Sequence, residues 1–135
     1  KRLSSFCNFE AVEITPERLS ENPTQNEIVN ALKKEAAAIE KKIPQGALRI
    51  AMCIEGKQFS SEKFSKYIND AAINGRGCIA FLIGSSYGLD EALKQTADLK
   101  MSMSEMTFPH KLARVMLTEQ IYRAFKILGG GTYHK

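Results

Sequence analysis

Apolar and polar residues recur along the chain in two periods, and the switches between them mark out the elements. Phe9 to Ile14 is a short apolar run broken by Glu10 and Glu13, and it predicts an edge strand. Thr15 to Pro23 is loop. Thr24-x-x-Glu27 is a capping box, in which the Thr oxygen and the Glu carboxylate satisfy exposed amides at a helix start. The helix it opens carries Ile28, Leu32, Ala36, Ile39 and Ile43 on one stripe and Glu27, Asn30, Lys33, Lys34 and Lys41 on the other face. Pro44-Gln45-Gly46 ends it. Leu48 to Ile54 reads as a buried strand, with Glu55-Gly56-Lys57 turning away from it.

The same alternation repeats downstream. Ser60 or Ser61 caps a second helix with Phe64, Ile68 and Ala71 or Ala72 inward, and Asn74-Gly75 stops it. Cys78 to Ile83 is apolar at every position, as in a strand covered on both faces of a parallel sheet. Asp90 caps a short helix after the Gly84–Leu89 turn. Leu99 to Ser104 alternates like a short strand, and Pro109 fits the first turn of a last helix. The predicted order β, α, β, α, β, α, β, α implies an α/β fold: a mainly parallel sheet flanked by helices. The 135 residues make a single domain.

The last helix, about residues 110 to 127, has more apolar surface than one sheet face can cover. Leu112, Ala113, Val115, Met116, Leu117, Ile121, Tyr122, Ala124, Phe125, Ile127 and Leu128 spread over most of its circumference. Burial on two sides predicts a partner subunit, most simply in a two-fold homodimer. Glu119 and Arg123 form an i,i+4 pair on it. Arg114 lies one turn from its start.

Composition narrows the class. A formal net charge of +4 leans toward an anionic partner such as nucleic acid. Three cysteines without a C-x-x-C pair, two of them in strand-like runs that predict buried thiols, fit a reducing, cytoplasmic setting. No apolar run is long enough to span a bilayer. The two histidines are far apart and no Cys cluster joins them, so no metal site is expected.

Ligands of open α/β sheets bind outside the carboxyl ends of the strands. Three such ends carry suggestive residues: Met52 to Gly56, Gly84 to Gly88, and Met103 to Phe108. Gly84 lets backbone approach a ligand closely, or serves a tight turn that needs glycine for its geometry. Met103 to Phe108 reads two ways. It is a strand end with core methionines, or the wall of a pocket for a flat, partly apolar ligand oriented by amides and Thr107. His110, at the helix start, is a packing or capping residue or a catalytic one. Tyr133-His134-Lys135 is a polar, basic tail after the glycines at 129–131.

Met106-Thr107-Phe108-Pro109-His110, Ala113-Arg114-Val115, Glu119-Gln120, Tyr122 to Ile127 and Tyr133-His134-Lys135 together resemble the ribosomal RNA large-subunit methyltransferase H (RlmH) family of the SPOUT superfamily. The resemblance extends over essentially the whole chain, through Ile54-x-Gly56-Lys57 and Gly84-Ser85-Ser86-x-Gly88-Leu89. It implies a C-terminal trefoil knot, a homodimer, and methyl transfer from S-adenosylmethionine to N3 of a pseudouridine in 23S ribosomal RNA of the large subunit or assembled ribosome. The family's cofactor contacts carry over to Met52, Gly84, Met103, Ser104, Glu105, Met106, Thr107 and Phe108. The tail residues Tyr133, His134 and Lys135, with Arg114, fall to the substrate, and His134, Tyr133 and His110 are candidates for the proton transfer. The sequence departs from the family at Ser85, where a second glycine is common. It also begins inside the family's first helix, at Lys1-Arg2-Leu3, so the resemblance implies that the family's N-terminal strand and part of that helix are missing from this sequence. Two other classes compete: a non-catalytic RNA- or ribosome-binding dimer of the same fold, and a nucleotide-binding α/β protein of another kind.

Overall fold

A computed structural model describes residues 7–129. Its elements run α1 (Gln25–Lys42), β1 (Leu48–Gln58), α2 (Ser61–Ile73), β2 (Ile79–Ile83), α3 (Glu91–Gln95), β3 (Leu99–Ser102) and α4 (His110–Leu128). The strands form one parallel sheet in the order β2-β1-β3. The α/β class with a parallel sheet flanked by helices is therefore the observed one. The tail Tyr133-His134-Lys135 lies outside the described residues.

Helix boundaries follow local chemistry. The Thr24 hydroxyl accepts from the Glu27 amide and the Glu27 carboxylate from the Thr24 amide, which completes the capping box of α1. Ser60, not Ser61, caps α2 by accepting from the Lys63 amide. Asp90 does the same for α3 through Leu93. Gly75 adopts φ +80°, a left-handed conformation that closes α2 at little steric cost because glycine lacks a Cβ.

Strand alternation divides the core between the two faces. Ile50, Met52 and Met101, with Ile79, Phe81 and Ile83 of β2, pack against Phe64 and Ile68 of α2 and Leu117, Ile121 and Ala124 of α4. Ala51, Ala80 and Leu82 point the other way, against Leu89, Leu93 of α3, Ala36 and Ile39 of α1 and Ile43 just past its end. This two-sided covering explains why β2 is apolar at every position. Its residues are mostly half-buried rather than buried, because β2 is an outer strand among the described residues.

Three expectations change. Phe9 to Ile14 is not a strand: it joins neither edge of the sheet, and Phe9 and Val12 are exposed. Six residues with two glutamates carry too short a period to specify pairing without a neighbour. Glu55-Gly56-Lys57 does not leave β1. The strand runs on to Gln58, and Met101 pairs both with Met52 and, beyond an irregularity, with Lys57. Finally, Cys53 is half-buried and Cys78 exposed, so neither is a core thiol.

Candidate functional site

The strand register gathers the three singled-out strand ends into one row. Met52 is paired with Ile83 on one side and Met101 on the other. Gly84 follows Ile83 directly, and Met103 lies two residues past Met101. Adjacent strands are about 4.8 Å apart, so the three ends share an edge roughly 10 Å wide. Chain direction across the sheet also reverses here. β1 connects to β2 on one side through α2, whereas β2 connects back past β1 to β3 through α3 on the opposite face. Adjacent strands whose connections leave on opposite faces open a crevice at their carboxyl ends, and here that crevice falls between Met52 and Gly84.

Backbone packs closely along this edge because glycine permits it. A Cβ on Gly84 would stand 2.4 Å from the carbonyl carbon of Gly88. The Gly84 turn doubles back on itself: the Gly88 amide donates to the Ser85 carbonyl at 2.9 Å, and Gly88 has φ +90°. A Cβ on Gly56 would lie 2.6 Å from the Met101 amide nitrogen, so the late part of β1 can cross β3 only with glycine there. Gly84 thus meets the requirement of a tight turn in full.

The Met103–Phe108 segment is held by hydroxyls. Ser102, 3% exposed, donates from Oγ to the Ser104 carbonyl at 2.9 Å and accepts from the Ser104 amide at 3.2 Å. The Ser104 hydroxyl accepts from the Met106 amide at 3.0 Å. Such local bonds fix an irregular turn that neither helix nor strand could satisfy. Met103 and Phe108 are half-buried, and Met106 is 71% exposed. The segment is therefore both a core edge and an exposed lip.

Two hollows flank the edge, one on each face. One of about 200 Å³ is lined by Phe59, Ser60, Phe64, Met101, Met103 and Met116 among others. The other, about 210 Å³, lies between the Ser85-Ser86-Tyr87 turn and Glu35 of α1. Met103 is the member of the predicted cofactor set that lines the first. Glu35 is buried, and its carboxylate accepts from the Glu17 amide at 3.0 Å.

His110 and Arg114 lie one turn apart at the start of α4, and both are exposed. His110 does not cap the helix; the N-cap is Pro109. Arg114 faces Glu13 at 3.6 Å, an exposed pair that adds little stability. The Glu119–Arg123 pair forms as expected at 2.8 Å. Among the described residues no group of three or more His, Cys, Asp and Glu side chains is set to hold a metal ion. No helix among them is long and apolar enough to cross a membrane.

Two features had no usable signal in the sequence. The Ser102 hydroxyl matters because it is buried, which the alternation Met-Ser-Met-Ser does not reveal. Lys94 of α3 meets Glu55 of β1 at 2.7 Å across 39 positions, a separation that no local pattern reports.

Known proteins decide between the classes. A family profile described as "Predicted SPOUT methyltransferase" matches residues 1–134. The chain belongs to the SPOUT methyltransferase family. Relatives in this family include the ribosomal RNA large subunit methyltransferase H of Streptococcus pyogenes serotype M18 (strain MGAS8232), 49% identical over 137 residues that cover 100% of this chain and 85% of that protein. The enzyme of the same name from serotype M5 (strain Manfredo) is 48% identical over 135 residues, with the same coverage. Membership makes the chain a methyltransferase, which implies a methyl-donor cofactor. A nucleotide-binding α/β protein of another kind is no longer needed to explain the strand-end glycines.

Proposed function

We propose that the chain is a cytoplasmic, single-domain homodimeric enzyme that methylates N3 of a pseudouridine in 23S ribosomal RNA, with S-adenosylmethionine as donor and a C-terminal trefoil knot as its framework. The observation that carries this reading is that one edge of the sheet gathers what the family resemblance assigns. Full-length relatives about 48% identical are named for large-subunit ribosomal RNA methylation. The residues that the resemblance assigns to the cofactor, Met52, Gly84 and Met103 to Phe108, fall along one carboxyl edge of the sheet.

The chemistry of that edge suits the donor. Met52, Met103 and Phe108 offer apolar surface to a flat base. Ser104, Thr107 and the neighbouring backbone offer hydrogen bonds for orientation, with Glu105 and Met106 on the lip. When bound, S-adenosylmethionine supplies an electrophilic methyl carbon. The residues of the edge hold and align it, which is most of what catalysis requires here. N3 of the base must shed a proton to become a nucleophile, and an acceptor within hydrogen-bond reach assists. His110, Tyr133 and His134 are the candidates for that role. Arg114, Tyr133, His134 and Lys135 are the candidates to hold the RNA, the last three lying outside the described residues.

The dimer is supported by α4. Leu112 and Val115 (63% exposed) stay uncovered although the opposite side of the helix is buried. The charge of +4 per chain is enough to steer toward phosphate and too small for tight general RNA binding. This favours the assembled ribosome, where shape adds to recognition. The test is transfer of labelled methyl from S-adenosylmethionine to ribosomes lacking the mark, beside naked 23S RNA. Label at a single pseudouridine, strongest on ribosomes, is the expected result. Donor and ribosome binding without transfer would replace the reading with that of a non-catalytic ribosome-binding dimer.

A further inference from the structure

We infer that Lys94, on the short helix α3, is a positioning residue for the methyl donor: by joining Glu55 it fixes the irregular part of β1 beside the Gly84–Gly88 turn. The inference rests on the donor edge proposed above.

Between Met52 and Lys57, β1 leaves its regular pairing with β3 and then returns to the same residue, Met101. Residues 53–56 therefore form an excursion beside Met52, at the carboxyl edge. An excursion without ladder bonds has to be held by something else. Gly56 holds it from one side, through backbone contact with Lys100 and Met101. Lys94 holds it from the other. Its ammonium lies 2.7 Å from the Glu55 carboxylate and 2.6 Å from that of Glu91, and its side chain is only 11% exposed.

The two carboxylates are not equivalent. Glu91 is on α3 itself, three residues before Lys94, and ties the helix only to itself. Glu55 is on the sheet and ties α3 to β1. α3 begins three residues after Gly88, and Leu89 and Leu93 anchor it on Ala51 and Leu82. A shift of Glu55 is thus passed to the Gly84–Gly88 turn, and the reverse. The groups that face this cluster are Lys100 of β3, whose charge adds to that of Lys94 in holding Glu55 ionised, and the half-buried Cys53 thiol. Burial alone would depress the Lys94 ammonium; the hydrogen bonds to Glu55 and Glu91 outweigh that and hold its pKa at about 12. A charge so firmly retained in a largely covered position is a fixed post rather than a solvated surface lysine.

Four single variants of the full chain, Lys94→Met, Lys94→Arg, Glu55→Gln and Glu91→Gln, together with the double variant Lys94→Met/Glu55→Gln, test this. Each is titrated with S-adenosylmethionine in a calorimeter, assayed for methyl transfer to unmodified ribosomes, and melted. Lys94→Met and Glu55→Gln should each raise the donor Kd and KM about tenfold with kcat within about twofold of the parent. The double variant should be no worse than either single one, and Lys94→Arg should recover most of the loss. Glu91→Gln should match the parent. Donor affinity unchanged in Lys94→Met and Glu55→Gln would overturn the inference. So would a loss in Glu91→Gln equal to that in Glu55→Gln, or weakened binding that tracks the melting temperature across the set. If the parent chain itself binds no S-adenosylmethionine, the donor edge is refuted first, and that outcome is read from the parent titration alone.

Discussion

The two ends of the sheet are built from different materials. At the amino ends of the strands, charge closes the structure. The Arg49 guanidinium donates to the Glu40 carboxylate of α1 and to the Thr96 hydroxyl at 2.9 Å. The Arg49 amide donates to Asp98 Oδ2 at 2.8 Å, and Arg76 reaches the same oxygen at 3.5 Å. One cluster thus fastens α1, the start of β1, the entry to β2 and the entry to β3. At the carboxyl ends, two glycines admit backbone where side chains would not fit, serine hydroxyls shape the turn, and both hollows open there. The first end spends its polar groups on each other. The second keeps backbone and hydroxyl groups near a concave surface. A sheet whose amino end is locked can leave its carboxyl end irregular without losing register.

The sharpest way to break this contrast is Gly84→Ala. Its new Cβ meets Gly88 backbone rather than the end of a flexible side chain, so the turn must distort, at a stability loss of about 1–3 kcal/mol. Methyl transfer should fall by more than that loss explains, since the donor edge itself is displaced; chemical denaturation and the ribosome assay on one preparation measure both. Asp98→Ala acts at the opposite end. It removes the acceptor of the Arg49 amide, and about 1–2 kcal/mol of stability should go with it while the donor Kd stays at the parent value. A donor Kd that moved with Asp98→Ala would show that the two ends are not independent. Ser102→Ala deletes the buried hydroxyl behind the Ser104 turn. About 1 kcal/mol is expected from denaturation, accompanied by weaker donor binding in calorimetry.

The smallest effect is the pH response. Hydrogen bonding from Arg49 holds the Glu40 carboxyl below its ordinary value, and Lys94 does the same for Glu55. A carboxyl lowered in the folded chain contributes stability above its unfolded pKa and loses it as pH falls through the folded one. Both ends therefore weaken in acid. The melting temperatures of the parent and Glu40→Gln should differ at neutral pH and converge below the ordinary glutamate range near ~4.3. Lys94 runs the other way. Its contribution is complete below its ordinary 10.5 and is lost as pH rises through about 12. Alkaline scans should thus loosen the carboxyl end first, because Arg49 is raised further above an already higher value. A parent and a Lys94→Met chain with identical alkaline melting limbs would contradict that order.

Much of this organisation is legible without coordinates. The capping box at Thr24, the caps at Ser60 and Asp90, the wholly apolar Cys78–Ile83 run and the over-wide apolar surface of the last helix all report local or one-dimensional constraints. They mark the helices and three of the four predicted strands. The motif from Met106 to Ile127 identifies the family outright. Phe9 to Ile14 failed because a strand is a property of a pair, and six residues cannot say whether a partner edge exists. The reading of Glu55-Gly56-Lys57 as a turn out of β1 failed for a related reason. Glycine ordinarily marks a turn, and only the nearness of Met101 shows that it is needed for close crossing.

The sequence by itself therefore determined the elements, the parallel α/β class and the family, since periodicity, caps and motif are all encoded along the chain. Tertiary structure alone decided the rest. It brought Met52, Gly84 and Met103 into one row through strand register. It turned Gly56 from a turn residue into a crossing point, and it set Lys94 against Glu55 across 39 positions. Each of these depends on which strands lie side by side, and that is settled by burying two apolar faces at once rather than by any stretch of residues read alone.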